Sequence, residues 1–290
     1  MNNPIIIAVD AMGGDNSPSK VIEGISIHFK NSKDINYKIF GNEKLINPLV
    51  DKYKIQKNII EIINTENKVE DKDSALEAAK KGKNTSLWLS IESLKNNQSD
   101  AIISAGNTGA LFVIAKLNLK MIENIDRPAL SGLWPNKNSM NVVLDLGANI
   151  ECSEKNLIDF SIMGSALYRS LFNNEMPKVA LLNIGSEELK GNSIIKNTFQ
   201  KINELKNQIY EFHGFIEGNH IMDGNVNVIV TDGFTGNVAL KTAEGTANFI
   251  TRELKKTLSS NILGKISSFL NSFKFFYQIS YKLILLPKIL

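Results

Sequence analysis

Short apolar runs of strand length alternate along the chain with segments of helical period, and this alternation restricts the fold more than any other feature. Ile5–Val9, Tyr37–Phe40, Ile59–Ile63, Ala101–Ser104, Val142–Leu146, Val179–Ile184 and Val226–Thr231 have the length and composition of buried strands. Helical spacing marks Ser74–Lys81, Thr85–Lys95, Thr108–Leu117, Glu154–Phe172, Ile194–Leu205 and Gly236–Leu258. Ser17-Pro18 is expected to open one more helix, with Ser17 as N-cap and Pro18 in the first turn. Such a succession forms an α/β fold with a mostly parallel sheet flanked by helices on both faces. No Gly-, Pro- or Ser-rich linker interrupts it, so residues 1–257 read as one α/β domain.

The residues just past the apolar runs are small or polar: 10–15, 104–109, 145–149, 183–186 and 231–237. In a parallel sheet these loops share the C-terminal edge of the strands, where open α/β sheets bind ligands. Asp10-Ala-Met-Gly-Gly-Asp15-Asn16 brings Gly13 and Gly14 to such a loop, where backbone amides can approach an anion. The same residues also fit a tight turn with Asp15 or Ser17 capping a helix. Ser104-Ala-Gly106-Asn107-Thr108-Gly109 and Thr231-Asp232-Gly233-Phe-Thr235-Gly236-Asn237 repeat one pattern, strand then Gly-x-Thr-Gly then helix. Two such turns in one chain suit a pair of phosphate-cradling loops, or two ordinary βα turns. Asn183-Ile-Gly-Ser-Glu-Glu188-Leu-Lys190-Gly-Asn192 offers a cation and carboxylates on a Gly-bounded loop that would otherwise be a solvated surface. The Arg127 guanidinium, before Pro128, could grip an oxyanion or simply face solvent.

Several chemistries lack their residues. There is no dinucleotide-type GxGxxG, no P-loop and no Gly-x-Ser-x-Gly elbow. His28, His213 and His220 are scattered, so no metal site and no cofactor is expected. Cys152 is the one cysteine; it could be activated at a strand-to-helix junction, but a buried inert thiol fits better. With no internal disulfide possible, no basic leader and no apolar run of spanning length, the expected location is cytoplasmic.

Charge is small overall, 33 Lys and Arg against 30 Asp and Glu, but unevenly placed. From Arg252 onward seven basic residues face the single acid Glu253, which leaves the body before them slightly acidic. That argues against nucleic-acid binding by the body and for a tail that meets something anionic. In residues 258–290 Leu258, Ile262, Ile266, Phe269 and Phe273 recur at helical spacing opposite Ser, Asn and Lys. This suits a helix lying on an anionic membrane surface, or one packed in a dimer interface.

Taken together these motifs resemble the bacterial phosphate acyltransferase (PlsX) family. The carrying segments are 10–18, 104–110, Arg127-Pro-Ala129, Leu144-Asp-Leu-Gly-Ala-Asn149, 183–192, Gly214-Phe-Ile-Glu-Gly218 and 231–237, in the family's order. The resemblance implies an isopropylmalate-dehydrogenase- and phosphotransacetylase-like fold. It implies acyl transfer from acyl carrier protein to inorganic phosphate, giving acyl phosphate for phospholipid synthesis. It also implies a homodimer, and peripheral association with the membrane where the downstream glycerol-3-phosphate acyltransferase sits. The chain departs from the family at Trp134 and Asn136-Lys-Asn138, and the family's final Tyr-Gly-Gly turn and Gly-rich strand have no counterpart before Leu290.

Within this reading 1–257 is the catalytic domain and 258–290 the dimer- and membrane-facing segment. Lys190, Asn107, Thr108, Thr235 and Asn237 are expected to hold phosphate, and backbone amides at Gly106 and Gly233 to serve the oxyanion. Asp232, Asp10 or Asp145 would orient donors or relay a proton. Gly13, Gly14, Asp15, Asn16, Ser104, Gly109, Asn149, Glu188, Asn192 and Gly236 complete the expected substrate rim. The thiolate is a good leaving group and phosphate is already an anionic nucleophile, so positioning and oxyanion donors suffice. Competing readings are an acyl-CoA-dependent phosphotransacetylase, an isopropylmalate-type dehydrogenase, and a non-catalytic scaffold for lipid synthesis at the membrane.

Overall fold

The computed structural model describes residues 4–31, 34–70, 72–173, 176–205, 209–258 and 288–289. They divide between two compact units, 1–122 and 123–290, each with its own sheet. The single sheet expected under residues 1–257 is therefore two, and the junction at Ile122/Glu123 carries none of the Gly- or Pro-rich composition that marks linkers. The segment singled out at 258–290 lies outside the described residues, apart from Leu258 and the pair Lys288–Ile289.

The first unit runs β1 (Ile5–Asp10), α1 (Ser19–Asn31), β2 (Ile35–Gly41), α2 (Glu43–Lys52), β3 (Ile60–Asn64), α3 (Ala75–Lys81), α4 (Ser86–Lys95), β4 (Ala101–Ser104) and α5 (Thr108–Leu119). Its four strands are all parallel, in the order β3-β2-β1-β4. The register sets Asp10 beside Ser104, so the two loops expected at the rim leave adjacent strands at the same edge. Successive side chains of a strand face opposite ways. Val9 and Ile39 pack with Ile22, Ile25, Ile46 and Val50 of α1 and α2. Ile102 packs with Leu87, Ile91, Ala110 and Ile114 of α4 and α5.

Two local expectations change here. The Ser17 hydroxyl donates to the Gly13 carbonyl and does not cap α1, which begins at Ser19. Helix α2, absent from the sequence reading, forms in spite of the interior Pro48. Asn42 caps its N-terminus on the Lys44 amide, and burial of Ile46 and Val50 outweighs the hydrogen bond that Pro48 removes.

The second unit runs β5 (Ser131–Pro135), β6 (Met140–Leu144), α6 (Glu154–Phe172), β7 (Lys178–Asn183), α7 (Ser193–Glu204), β8 (Glu211–Glu217), β9 (Val228–Val230), α8 (Gly233–Leu258) and the short β10 (Lys288–Ile289). The sheet order is β10-β5-β6-β9-β7-β8. Strands β6, β9, β7 and β8 are parallel, while β5 and β10 run antiparallel to their neighbours. The period-two pattern is clear in the centre. Val142, Leu144, Val179, Leu181, Val228 and Val230 face Leu157, Phe160 and Ile195 of α6 and α7. Val143, Ala180, Leu182 and Ile229 face Leu240 of α8 and Ile221. Burial on both faces explains why these strands are unbroken apolar runs.

Candidate active site

In the first unit the rim is held by a buried carboxylate. Asp10, 2% exposed, accepts from the Ser86 hydroxyl at 2.6 Å, the Ser104 hydroxyl at 2.7 Å and the Met12 amide at 3.2 Å. Gly13 lies directly over this group: a Cβ there would stand 2.6 Å from Asp10 Oδ2 and 2.9 Å from the Gly106 nitrogen. The two Gly-rich turns thus touch backbone to backbone, and Gly14 adopts φ +84°, a conformation that favours glycine. Asn107 caps α5 by accepting from the Ala110 amide, and its NH2 donates to the Asp73 carbonyl. Both ends of that amide, expected on phosphate, are engaged in building the loop. Thr108 and Gly109 form the first turn of α5, and Asn16 accepts from the Lys20 amide through its carbonyl. Asp15 lines a separate, mainly apolar cavity of about 380 Å³ between α1 and Ile7, Val9 and Ile103.

In the second unit Asp145 is wholly buried and accepts five hydrogen bonds. Oδ1 takes the amides of Leu130, Gly147 and Ala148 at 3.0–3.1 Å. Oδ2 takes the Asn149 amide and side-chain NH2, both at 2.7 Å. The Asn149 carbonyl in turn accepts the Gly233 amide at 2.7 Å. Gly236 sits so close that a Cβ would lie 1.9 Å from the Asp145 carbonyl oxygen, and Asn237 packs against Gly147. Asp145, Asn149, Gly233 and Gly236 therefore join two loops into one scaffold.

Beside that scaffold lies a cavity of about 970 Å³. Three helices begin at its wall. Ser153 caps α6, Asn192 caps α7, and Asp232 accepts from the Thr235 amide and hydroxyl at the start of α8. Each N-terminus carries about half a positive charge. Among the described residues Arg127 is the one cationic side chain of the lining, and its Nη1 donates to the Glu151 carbonyl at 3.1 Å. The carboxylates of the lining are Asp126, which pairs with Lys155, the capping Asp232, and the exposed Glu151. Ile150, Ile194 and the 63%-exposed Phe234 form an apolar border.

Cys152 also lines this cavity, yet burial, and secondarily the Asp145 charge, push its thiol up to about 11. At neutral pH it stays protonated and is a poor nucleophile. Of the expected residues the cavity gathers Asn192, Asp232 and Thr235. Lys190 and Glu188 are exposed on the preceding loop, where Asn183 donates to the Lys190 carbonyl, and neither lines the cavity. Ser153 and Asn156 were missed, although Ser-x-x-Asn before an apolar helix is a legible capping pattern.

A family model described as fatty acid synthesis protein matches residues 5–282. The phosphate acyltransferase of Pelagibacter ubique (strain HTCC1062) is 64% identical over 271 residues, covering 93% of this chain and 81% of that protein. That of Maricaulis maris is 43% identical over 264 residues, covering 90% and 75%. The chain belongs to the phosphate acyltransferase family. It is accordingly an enzyme that transfers acyl groups to phosphate. A phosphotransacetylase from Streptococcus pyogenes superposes with a TM-score of 0.63 at 16% identity, covering 84% of this chain and 82% of that one, which bears on the fold alone. Among the described residues of this phosphate acyltransferase family member, no helix is long and apolar enough to cross a membrane.

Proposed function

We propose that this enzyme moves a fatty acyl group from the thioester of acyl carrier protein to orthophosphate bound in the second unit's cavity. The product is an acyl phosphate destined for phospholipid synthesis. The observation that carries the reading is that three helix N-termini and Arg127 border one cavity. Helix N-termini and a guanidinium are the kind of donor an oxyanion needs, and, being built into the fold, they require little reorganisation when charge develops on the thioester oxygen. The apolar border at Ile150, Ile194 and Phe234 suits the acyl chain beside it. Lys190, two residues before the α7 cap, lies outside the lining, so this reading gives the phosphate charge to Arg127.

Phosphate attacks the thioester carbonyl, the C–S bond breaks, and the thiolate departs with the electron pair. The protonated Cys152 argues against a covalent acyl-enzyme. Asp145, with both oxygens saturated, holds the loop and leaves proton movement to the substrate and solvent.

The donor's acidic carrier protein would meet the exposed Arg252, Lys255 and Lys256 on α8. Val238, Phe249, Ile250 and Leu254 are exposed on the same helix and would be covered by a second copy in a homodimer. The basic, apolar residues beyond it would rest on the anionic inner face of the cell membrane, near the glycerol-3-phosphate acyltransferase that consumes the product. Thiol release measured with acyl carrier protein thioester and with acyl-CoA, each with and without phosphate, tests the reading. Phosphate-dependent release from the carrier protein thioester supports it. Preference for acyl-CoA would make the enzyme a phosphotransacetylase instead.

A further inference from the structure

We propose that the side-chain amide of Asn156 is a ligand for orthophosphate in the second unit's cavity. This rests on the phosphate reading above and adds a residue that neither the motifs nor the rim pattern indicated.

Asn156 occupies the third position of α6 and closes a capping box with Ser153. Glu or Gln usually fills that place, because only an acceptor is needed there. The Asn156 Oδ1 accepts from the Ser153 amide at 3.0 Å and from its hydroxyl at 3.0 Å. Because a backbone N–H can only donate, the atom facing it must be the oxygen, and this fixes the orientation of the amide. The NH2 is thereby turned away from the cap, and it has no hydrogen-bond partner among the described residues. The residue is nonetheless only 4% exposed and lines the cavity.

The NH2 is the end of this nearly buried side chain that reaches the cavity, where its N–H groups are open to an acceptor bound there. The N-terminus of α6 carries Asn156 itself, and those of α7 and α8 share the cavity with Arg127; of the carboxylates in the lining, Asp126 is paired with Lys155, Asp232 is engaged on Thr235, and Glu151 is exposed. Asn192 likewise turns its Oδ1 to the Ile195 amide, but it is exposed and its NH2 meets solvent at the cavity wall.

The test is Asn156→Asp. Aspartate keeps the acceptor that caps Ser153, and its charge suits a helix N-terminus, so the unfolding temperature should hold or rise. The donor to phosphate becomes an acceptor. The KM for phosphate should then rise about tenfold to a hundredfold, the loss expected for a hydrogen bond to a charged group. The KM for the thioester should stay within about twofold, since both values are read on one enzyme. As a second measurement, the NH2 resonance of Asn156 in the wild-type enzyme, assigned by its disappearance in Asn156→Asp, should shift on titration with orthophosphate and saturate.

An unchanged phosphate KM, an NH2 resonance that phosphate does not move, or a fall in stability with both KM values altered alike would overturn the assignment. If the wild-type enzyme releases thiol no faster with phosphate than without, the parent reading fails instead.

Discussion

Replacing Asp145 by Asn removes one charge and leaves the shape of the side chain intact. The carboxylate is fully buried and accepts five hydrogen bonds, three on Oδ1 and two on Oδ2. An amide can keep only one oxygen. Directed at Leu130, Gly147 and Ala148, that oxygen preserves three bonds and points an NH2 at the Asn149 amide and NH2, donor against donor. The opposite orientation is worse, because it strands three backbone donors. Losing two charge-assisted bonds of 2.7 Å in a buried site costs about 3–5 kcal/mol. For a cooperative unit of this size each kcal/mol lowers the melting temperature by about 2–4 °C, so a drop of roughly 6–20 °C is expected.

Thermal unfolding followed by circular dichroism measures that drop. Phosphate-dependent thiol release, taken well below the variant's transition, shows what survives. The loosened Asn149 loop no longer fixes the Gly233 amide, so activity should fall together with stability. A variant that melts like the wild type but loses turnover about a thousandfold would make Asp145 a reacting group. The reasoning from its saturated oxygens would then be wrong.

Cys152, whose thiol is pushed up to about 11, should react with iodoacetamide at pH 8 about a hundredfold more slowly than an ordinary exposed cysteine, and equal rates would contradict its burial. Its pKa is raised from 9.0, so the folded state prefers the proton; this contribution is intact below about pH 9 and is lost as pH climbs towards about 11, which a Cys152→Ser variant should relieve in alkaline unfolding curves. Gly236→Ala places a methyl 1.9 Å from a backbone oxygen that cannot yield, and should cost more than about 4 kcal/mol, read as insoluble protein or a large fall in melting temperature. Charge reversal at Lys255 and Lys256 should slow association with acyl carrier protein and flatten its salt dependence, and unchanged stopped-flow rates would move the docking surface elsewhere.

The rim was legible because parallel strands buried on both faces leave small and polar residues only where they end. Asp10, Ser104, Asp145 and Asp232 accordingly fall at or within two residues of strand ends in the structure. Their roles were not legible. Asp145 and Asn107 looked like groups for chemistry or binding, but both are engaged by neighbouring donors and acceptors that no linear pattern reveals. Strand β5 escaped because Gly132 and Pro135 break its pattern, and β8 because Gly214, at φ +91°, marks an irregular register against β7. The division at Ile122 escaped for want of a compositional break. Asn156 escaped because its NH2 is informative only once the cap fixes the amide's orientation.

The most direct measurement of the account follows isotopically labelled orthophosphate into product by mass spectrometry, with a quenched peptide map of the enzyme alongside. Acyl phosphate that retains every labelled oxygen, with Cys152 unmodified at all times, is the predicted result. Acylated Cys152 accumulating before phosphate is added, or free carboxylic acid forming equally fast without it, would contradict direct attack.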